Sequence, residues 1–98
     1  MNMQAMLKQA QKIQKEMMSA KEEIDNKIFE GSSSFVKIKM KGTKELVEVL
    51  IEKENLDAEE IEMLQDMIII AINNTIKDID KETENKLGKY TNGMPGLF

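Results

Sequence analysis

Lysines are the residues of this sequence whose type and spacing suggest chemistry, and that chemistry is phosphate binding. Lys8, Lys12 and Lys15 follow one another at intervals of four and three residues, so a helix would carry them on one face. A lysine face without aromatic residues suits sequence-independent contact with a nucleic-acid backbone. The same pattern also occurs on helices whose charged face only keeps a protein in solution. A second set of three lysines alternates along a predicted strand: Lys37, Lys39 and Lys41.

The composition of the chain excludes most catalytic chemistry. Its 98 residues include no cysteine and no histidine, which excludes disulfides, the usual zinc sites and nucleophilic triads. Every basic residue is a lysine, which holds a phosphate as a point charge but cannot read guanine in the bidentate way of arginine. We therefore expect a protein that is not an enzyme and that uses no cofactor, metal or small-molecule substrate. No signal peptide or membrane span is recognisable, so we expect a cytoplasmic location.

Charge is divided unevenly between the two halves of the chain. Residues 1–44 hold nine lysines and five acids, a formal charge of +4, whereas residues 45–98 hold five lysines and thirteen acids, a charge of −8. The sum is the net charge of −4. Overall acidity argues mildly against a nucleic-acid partner, but binding responds to local patches of charge rather than to the total.

A first helix is predicted from Met3 to about Ile24, because apolar residues recur there at alternating intervals of three and four. The repeated positions are Met3, Met6, Ala10, Ile13, Met17, Ala20 and Ile24. They form a seam of three heptads. A helix of about 33 Å exceeds the radius of gyration of about 13 Å expected for a compact domain of this length, so we expect it to extend past its own sheet. We interpret the seam as core or dimer packing, with an adaptable peptide-binding groove as the alternative.

A second long helix is predicted over Asp57–Leu87. Asp57 and Glu60 form a capping-box pattern at its start. Its six apolar residues Met67–Ile72 leave no polar side, so they must be covered from several directions by a sheet, a helix or a second copy of the chain. Gly88 is the predicted stop. The pattern thus predicts one domain over residues 1–88 and a flexible tail over residues 89–98.

Three short strands are predicted between the helices. The strands are Lys27–Glu30, Phe35–Lys41 and Lys44–Glu52, separated by a serine-rich turn and by Gly42-Thr43. Glycine as the first of two loop residues is typical of a type II′ hairpin turn. The predicted fold is therefore α+β: a long N-terminal helix, a three-stranded antiparallel sheet and a long C-terminal helix, in the order α-β-β-β-α.

This two-residue turn fixes a predicted register for the hairpin. On the core face, Ile38 would lie opposite Val47 and Val36 opposite Val49, with Met40 and Ile51 on the same side. On the outer face the predicted pairs are Lys37 with Glu48, Lys39 with Leu46, and Phe35 with Leu50. The register predicts one neutralised lysine and an outer apolar cluster of Phe35, Leu46 and Leu50. We interpret that cluster as a dimer surface; the first helix folding over it is the alternative.

The chain resembles the YbaB/EbfC family of nucleoid-associated proteins over nearly its whole length. The resemblance rests on the order and spacing of five segments: the run Met6–Met17, the hairpin positions Val36, Ile38 and Gly42, the run Glu62–Met67, the run Ala71–Asn73 and the run Gly93–Phe98. No one of these segments is diagnostic alone, but their combination is specific.

The resemblance implies a homodimeric bacterial protein of the cytoplasm that binds double-stranded DNA and associates with the nucleoid. In the family, the two N-terminal helices project like the prongs of tweezers, and basic residues there and nearby contact DNA. The positions that match this region are Lys8, Lys12 and Lys15. Lys37, Lys39 and Lys41 of the predicted strand are further candidates for DNA contact. The candidate dimer interface is Met3, Met6, Ala10, Ile13, Met17, Phe35, Leu46 and Leu50. The rival interpretation is a protein-interaction module that uses the methionine-rich seam and the acidic second half.

Overall fold

Two helices and a three-stranded antiparallel sheet make up the protein in a computed structural model, which describes residues 2–91. The elements are α1 (Met3–Asn26), β1 (Ile28–Ser33), β2 (Val36–Lys41), β3 (Leu46–Ile51) and α2 (Ala58–Thr91). The strands lie in the order β1-β2-β3. This arrangement confirms the predicted α-β-β-β-α fold. Within the described residues, neither helix has an apolar stretch of the length that a membrane crossing requires.

Helix α1 is elongated and only its C-terminal end joins the core. The side chain of Asn2 caps the helix by accepting a 2.8 Å hydrogen bond from the backbone N–H of Ala5. Every residue from Asn2 to Glu16 is exposed, whereas Ile24 is buried. The protein is 71 Å long and only 21 Å by 14 Å across. These dimensions confirm that α1 extends past its own sheet.

Helix α2 is the element on which the core is built. Its capping box is confirmed: the N–H of Glu60 donates to the Asp57 side chain at 2.8 Å, and the N–H of Asp57 donates back to the Glu60 side chain at 3.3 Å. The helix packs across β1 and β2. Gly31 allows β1 to lie close to α2, because a Cβ at this position would lie 1.9 Å from Oγ1 of Thr75.

The predicted helix stop at Gly88 is wrong, because α2 continues through that residue to Thr91. Leu87 is fully buried, and Tyr90 packs against the core and lines a surface pocket together with Ala20 of α1. We attribute the extra turn to these tertiary contacts, which outweigh the cost of about 1 kcal/mol for a glycine inside a helix. Residues 89–91 of the predicted tail are therefore helical, and residues 92–98, with the run Gly93–Phe98, lie outside the described residues.

The predicted core face of β2 is confirmed, but the predicted hairpin register is wrong. Val36, Ile38 and Met40 are buried. The connection to β3 has four residues, 42–45, rather than two, with Lys44 at a φ of 73° and the N–H of Lys41 bonded to the carbonyl of Glu45 at 2.9 Å. The observed pairs are Val36 with Ile51, Lys37 with Leu50, Ile38 with Val49, Lys39 with Glu48, and Met40 with Leu46, with a bulge between the last two.

In the observed register, the predicted outer cluster of Phe35, Leu46 and Leu50 does not form. Leu46 pairs with the buried Met40 and so lies on the helix side of the sheet, while Leu50 pairs with Lys37 on the outer face. Phe35 lies in the turn before β2 and packs against the core. The predicted core positions Val47, Val49 and Ile51 are also wrong for a single chain, because all six residues of β3 are exposed. Helix α2 extends over β1 and β2, and β3 lies outside that contact.

Candidate nucleic-acid interface

The exposed part of α1 carries the first predicted lysine set. Lys8, Lys12 and Lys15 are all exposed and belong to one uninterrupted helix. From Lys8 to Lys15 the helix rises about 10 Å. Duplex DNA presents about one negative charge per 1.7 Å of its axis, so a 10 Å length offers about six phosphates. The spacing of the three ammonium groups therefore suits contact with several phosphates at once.

These three ammonium groups have one carboxylate neighbour in sequence, Glu16, which follows Lys12 by four residues. Residues 2–15 contain three lysines and no aspartate or glutamate. Within the described chain, none of the three lysines forms an ion pair. The first turn of α1 also lacks acidic residues, so the positive end of its helix dipole is not offset locally. The result is a projecting segment whose field is positive although the chain as a whole is acidic.

The second lysine set occupies the outer face of β2 and is surrounded by acids. Lys37 lies 3.4 Å from Glu52, and Lys41 lies 3.7 Å from Glu45. Lys39 has two partners, which are Glu30 at 3.8 Å and Glu48 at 3.6 Å. Every lysine of this set thus has a carboxylate neighbour. The sequence predicted only one such neighbour, because the assumed register placed Lys39 opposite Leu46.

Sequence reasoning identified only one of the four glutamates close to the β2 lysines: it predicted Glu48, but beside Lys37 rather than Lys39. Glu30 is cross-strand from Lys39 on β1, and Glu48 is cross-strand from it on β3. The remaining two, Glu45 and Glu52, flank β3 at its two ends. The sequence shows one glutamate in each of β1 and β3 and three lysines in β2. Only the correct register shows that all four face the lysines.

The predicted dimer-interface residues fall into two separate regions. The α1 seam is exposed at Met3, Met6, Ala10 and Ile13 and half-buried at Met17. The side chain of Met3 is 79% exposed, the largest value among the exposed large apolar side chains of the described residues. Leu46 and Leu50 are exposed on opposite faces of β3, and Phe35 is half-buried. The structure thus exposes most of these residues but does not bring the eight together.

The fold and the lysine-bearing helix define a class: a small α-β-β-β-α protein with exposed lysines on a projecting helix. The YbaB/EbfC DNA-binding family model matches residues 1–94. The chain is 44% identical to a nucleoid-associated protein of Enterococcus faecalis, with 98% of this chain and 94% of the relative covered.

Two further relatives carry the same name. A nucleoid-associated protein of Lactococcus lactis subsp. cremoris is 45% identical, over 97% of this chain and 98% of the relative. One from Bacillus licheniformis is 46% identical, over 99% and 94% respectively. The chain therefore belongs to the YbaB/EbfC DNA-binding family, as its sequence resemblance indicated.

Proposed function

We propose that this protein is a nucleoid-associated protein of the bacterial cytoplasm, which binds the backbone of double-stranded DNA as a homodimer. The observation that carries the proposal is the set of unpaired lysines on the projecting part of α1. Lys8, Lys12 and Lys15 are the principal contacts. Family membership and the names of the relatives support DNA as the ligand.

The chemistry of the interface predicts binding without sequence preference. Lysine neutralises phosphates as a point charge, and the bidentate reading of guanine that arginine provides is absent from this chain. The apolar seam on α1 contains no aromatic residue, so it offers no stacking platform for unpaired bases. We therefore propose intact duplex DNA as the ligand.

The β2 lysines contribute less in this proposal. A lysine beside a carboxylate must exchange that partner for a phosphate, and the net gain is then small. Surface ion pairs of this kind are worth about 0–1 kcal/mol each, so Lys37, Lys39 and Lys41 can still exchange a carboxylate for a phosphate. They form a secondary surface, which DNA reaches only after the α1 lysines have engaged.

Dimerisation doubles the number of phosphate contacts in this proposal. One chain supplies three unpaired α1 lysines, and two chains supply six. The exposed apolar residues of β3 support a second copy as a partner, since a strand with uncovered apolar side chains on both faces is unusual in a stable monomer. The α1 seam of Met3, Met6, Ala10, Ile13 and Met17 remains a proposed part of the interface, as do Phe35, Leu46 and Leu50.

Binding to a mixed-sequence duplex, measured by fluorescence anisotropy across a salt series, tests the proposal. Six lysine contacts predict that log affinity falls linearly with log salt with a slope magnitude of about 4 to 6. Replacing Lys8, Lys12 and Lys15 together by Gln should lower affinity roughly a thousandfold at 0.1 M salt, because most of the counterion release is lost.

The matched control is the replacement of Lys37, Lys39 and Lys41 together by Gln. Both triple variants change the net charge of the chain from −4 to −7, so their long-range repulsion of DNA is the same. The β2 variant should lose less than about tenfold in affinity. Equal losses in the two variants, with circular dichroism unchanged, would refute the assignment to α1.

The exposed α1 seam also favours a second candidate function, a protein-interaction module. Met3, Met6, Leu7 and Ile13 are all exposed, and methionine-rich surfaces adapt well to peptide partners. In that case, wild-type protein would show no anisotropy change with DNA even at low salt, and a stoichiometric protein partner would co-purify with it. Substitution of Met6 by Asp would release that partner, whereas the lysine variants would not.

A further inference from the structure

The apolar seam of α1 changes from covered to bare partway along the helix. Its C-terminal positions Met17, Ala20 and Ile24 are buried or half-buried in the core. The earlier positions are all exposed and have no cover within the described chain; we call them the bare seam, which consists of Met3, Met6, Ala10 and Ile13. A helix without tertiary packing is only marginally stable in water when it is shorter than about 12–15 residues. The projecting part of α1 would therefore gain stability from a cover.

The cover of the seam ends where α2 ends. Lys27, directly after α1, pairs with Glu82 at 2.6 Å, whereas Tyr90, further along α2, lines a surface cavity of about 430 Å³ together with Ala20. Moving back along α1 thus corresponds to moving forward along α2, and the two helices are antiparallel. Helix α2 is described as far as Thr91, and the bare seam begins on the next turns of α1. The direction of α2 therefore leads the chain toward the bare seam.

The residues that follow α2 have the composition and the length to continue this cover. We call residues 92–98 the C-terminal segment; its sequence is Asn-Gly-Met-Pro-Gly-Leu-Phe, with three large apolar residues and no charged one. Seven residues span at most about 25 Å, and α1 rises about 21 Å between Ala20 and Met6. The segment is thus long enough to run beside most of the bare seam.

We propose that the C-terminal segment docks on the bare seam of its own chain and continues the cover that α2 gives to the rest of the seam. Helix α2 already holds the start of the segment beside α1, so its effective concentration at the seam is that of a short tether. A second copy or a foreign peptide has no such advantage. Neither the segment nor the bare seam contains a charged residue, so the contact buries no unpaired charge.

Docking leaves the lysine face of α1 available. At about 100° of rotation per residue, Lys8, Lys12 and Lys15 lie about 140° to 180° around the helix from the middle of the bare seam. DNA and the C-terminal segment therefore occupy opposite sides of α1. The inference goes beyond the proposed function by giving the bare seam an occupant from its own chain. Of the proposed dimer contacts, it leaves Met17, Phe35, Leu46 and Leu50 to the second copy.

The absence of cysteine from the chain makes a cross-linking experiment direct. Full-length chains that carry Leu97→Cys together with Met6→Cys or Ala10→Cys are oxidised under mild conditions at low protein concentration. Mass spectrometry and non-reducing electrophoresis then identify the products. We expect a disulfide within one chain for at least one of the two pairs, because disulfides form only when the Cα atoms lie within about 7 Å. Leu97→Cys with Lys8→Cys is the matched control, since Lys8 lies between the two seam positions along the helix but on its opposite side.

The pattern of products decides the proposal. Disulfide formation that is at least about tenfold faster at a seam position than at Lys8→Cys supports docking. Equal rates at the seam and at Lys8→Cys overturn the inference, because an undocked segment would have no preference for one side of the helix. A mixture of chains carrying Leu97→Cys alone and chains carrying Met6→Cys or Ala10→Cys alone identifies the other occupant. If disulfides form between these chains rather than within one, a second copy covers the bare seam and the inference is overturned.

Hydrogen exchange provides a second test, which needs no cysteine. Replacing Leu97 and Phe98 together by Ser should speed amide exchange about tenfold in residues 6–13 and leave exchange in β2 unchanged, because only the projecting helix loses its cover. Asn92→Ser is the control, since it removes no apolar side chain from the segment. Unchanged protection of residues 6–13 in the double variant would contradict the proposed contact. Neither experiment contains DNA, so failure of this inference and failure of the proposed function are separate results.

Discussion

The molecule carries two sets of three lysines that differ in their surroundings rather than in number or exposure. Those of α1, Lys8, Lys12 and Lys15, lie on a segment that contains no acid. Those of β2 each have a glutamate neighbour, which lies on an adjacent strand or directly beside one. A helix that projects alone keeps its charge, because no neighbouring element can neutralise it. A central strand has a neighbouring strand on each side, and acidic side chains there can neutralise its lysines.

In the proposed function, this difference accounts for the attraction of an acidic protein to DNA. The net charge of −4 includes the carboxylates that neutralise the β2 lysines and those of α2. At 0.15 M ionic strength the Debye length is about 8 Å, so phosphates at the end of α1 are screened from most of that negative charge. The local field of the projecting helix then governs the encounter.

The largest expected effect concerns the contact between the β2–β3 hairpin and the end of α1, which fixes the position of one lysine set relative to the other. Gly42, in the hairpin after β2, donates its N–H to the carbonyl of Lys27 at 3.0 Å, and a Cβ on it would lie 1.8 Å from the carbonyl oxygen of Ile24. Both neighbours are backbone atoms at the end of α1 and cannot rotate away. Gly42→Ala should therefore lower the free energy of unfolding by about 3 kcal/mol, measured by urea denaturation.

Gly88→Ala is the control for that substitution. A Cβ at Gly88 meets nothing within 4 Å, so the same change there should raise stability by up to about 1 kcal/mol through helix propensity. If Gly42→Ala is as stable as wild type, the hairpin and the end of α1 are not in close contact, and the fixed placement of the two lysine sets is wrong.

A smaller effect should follow from freeing one lysine of the β2 set. Glu30→Gln with Glu48→Gln removes both carboxylates next to Lys39 and changes the net charge from −4 to −2. DNA affinity at 0.1 M salt should rise roughly tenfold, because two copies of Lys39 per dimer become available to phosphates. Anisotropy measurements should also show a slope magnitude larger by about 1 to 2.

The matched control for this change is Glu59→Gln with Glu62→Gln on the exposed surface of α2. It alters the net charge by the same amount without releasing a lysine of either set. Its affinity gain should be the smaller of the two. Equal gains would mean that DNA responds to total charge, and the contrast between the two lysine sets would then have no functional meaning.

Sequence alone sufficed for the elements whose signals are local. The helix α1, the capping box of Asp57 and Glu60, and the alternation of Val36, Ile38 and Met40 each follow from the spacing of neighbouring residues, and the structure confirms all three. The packing of the α1 seam stays a prediction. Membership of the YbaB/EbfC family was also visible in the order of its motifs.

The hairpin register could not be obtained in this way, for two physical reasons. First, β3 is apolar at almost every position, so a shift in pairing exposes no obvious polar residue to the core. Second, the loop places Lys44 at positive φ, a conformation that sequence predicts for glycine or asparagine rather than for lysine. The neutralisation of the β2 lysines depends on this register, and for that reason the candidate site was only half predicted.

The smallest expected effect tests whether sheet stability and DNA binding are independent. Ser34 and Phe35 form the turn between β1 and β2, and Ser34 has a φ of 53°. Positive φ at the first of two turn residues is the II′ pattern, which favours glycine. Ser34→Gly should therefore raise stability by up to about 1 kcal/mol, or roughly 4–8 °C in Tm for a domain of this size.

Ser32→Gly provides the comparison, because Ser32 lies in regular β1 opposite Lys37 and glycine there should cost stability. DNA affinity should stay within about twofold of wild type in both variants, since α1 positions its own lysines and the salt dependence comes from them. A parallel change in Tm and affinity across the two variants would contradict this independence. It would show that DNA contacts the sheet as strongly as it contacts α1, and that the carboxylates around the β2 lysines do not shield them.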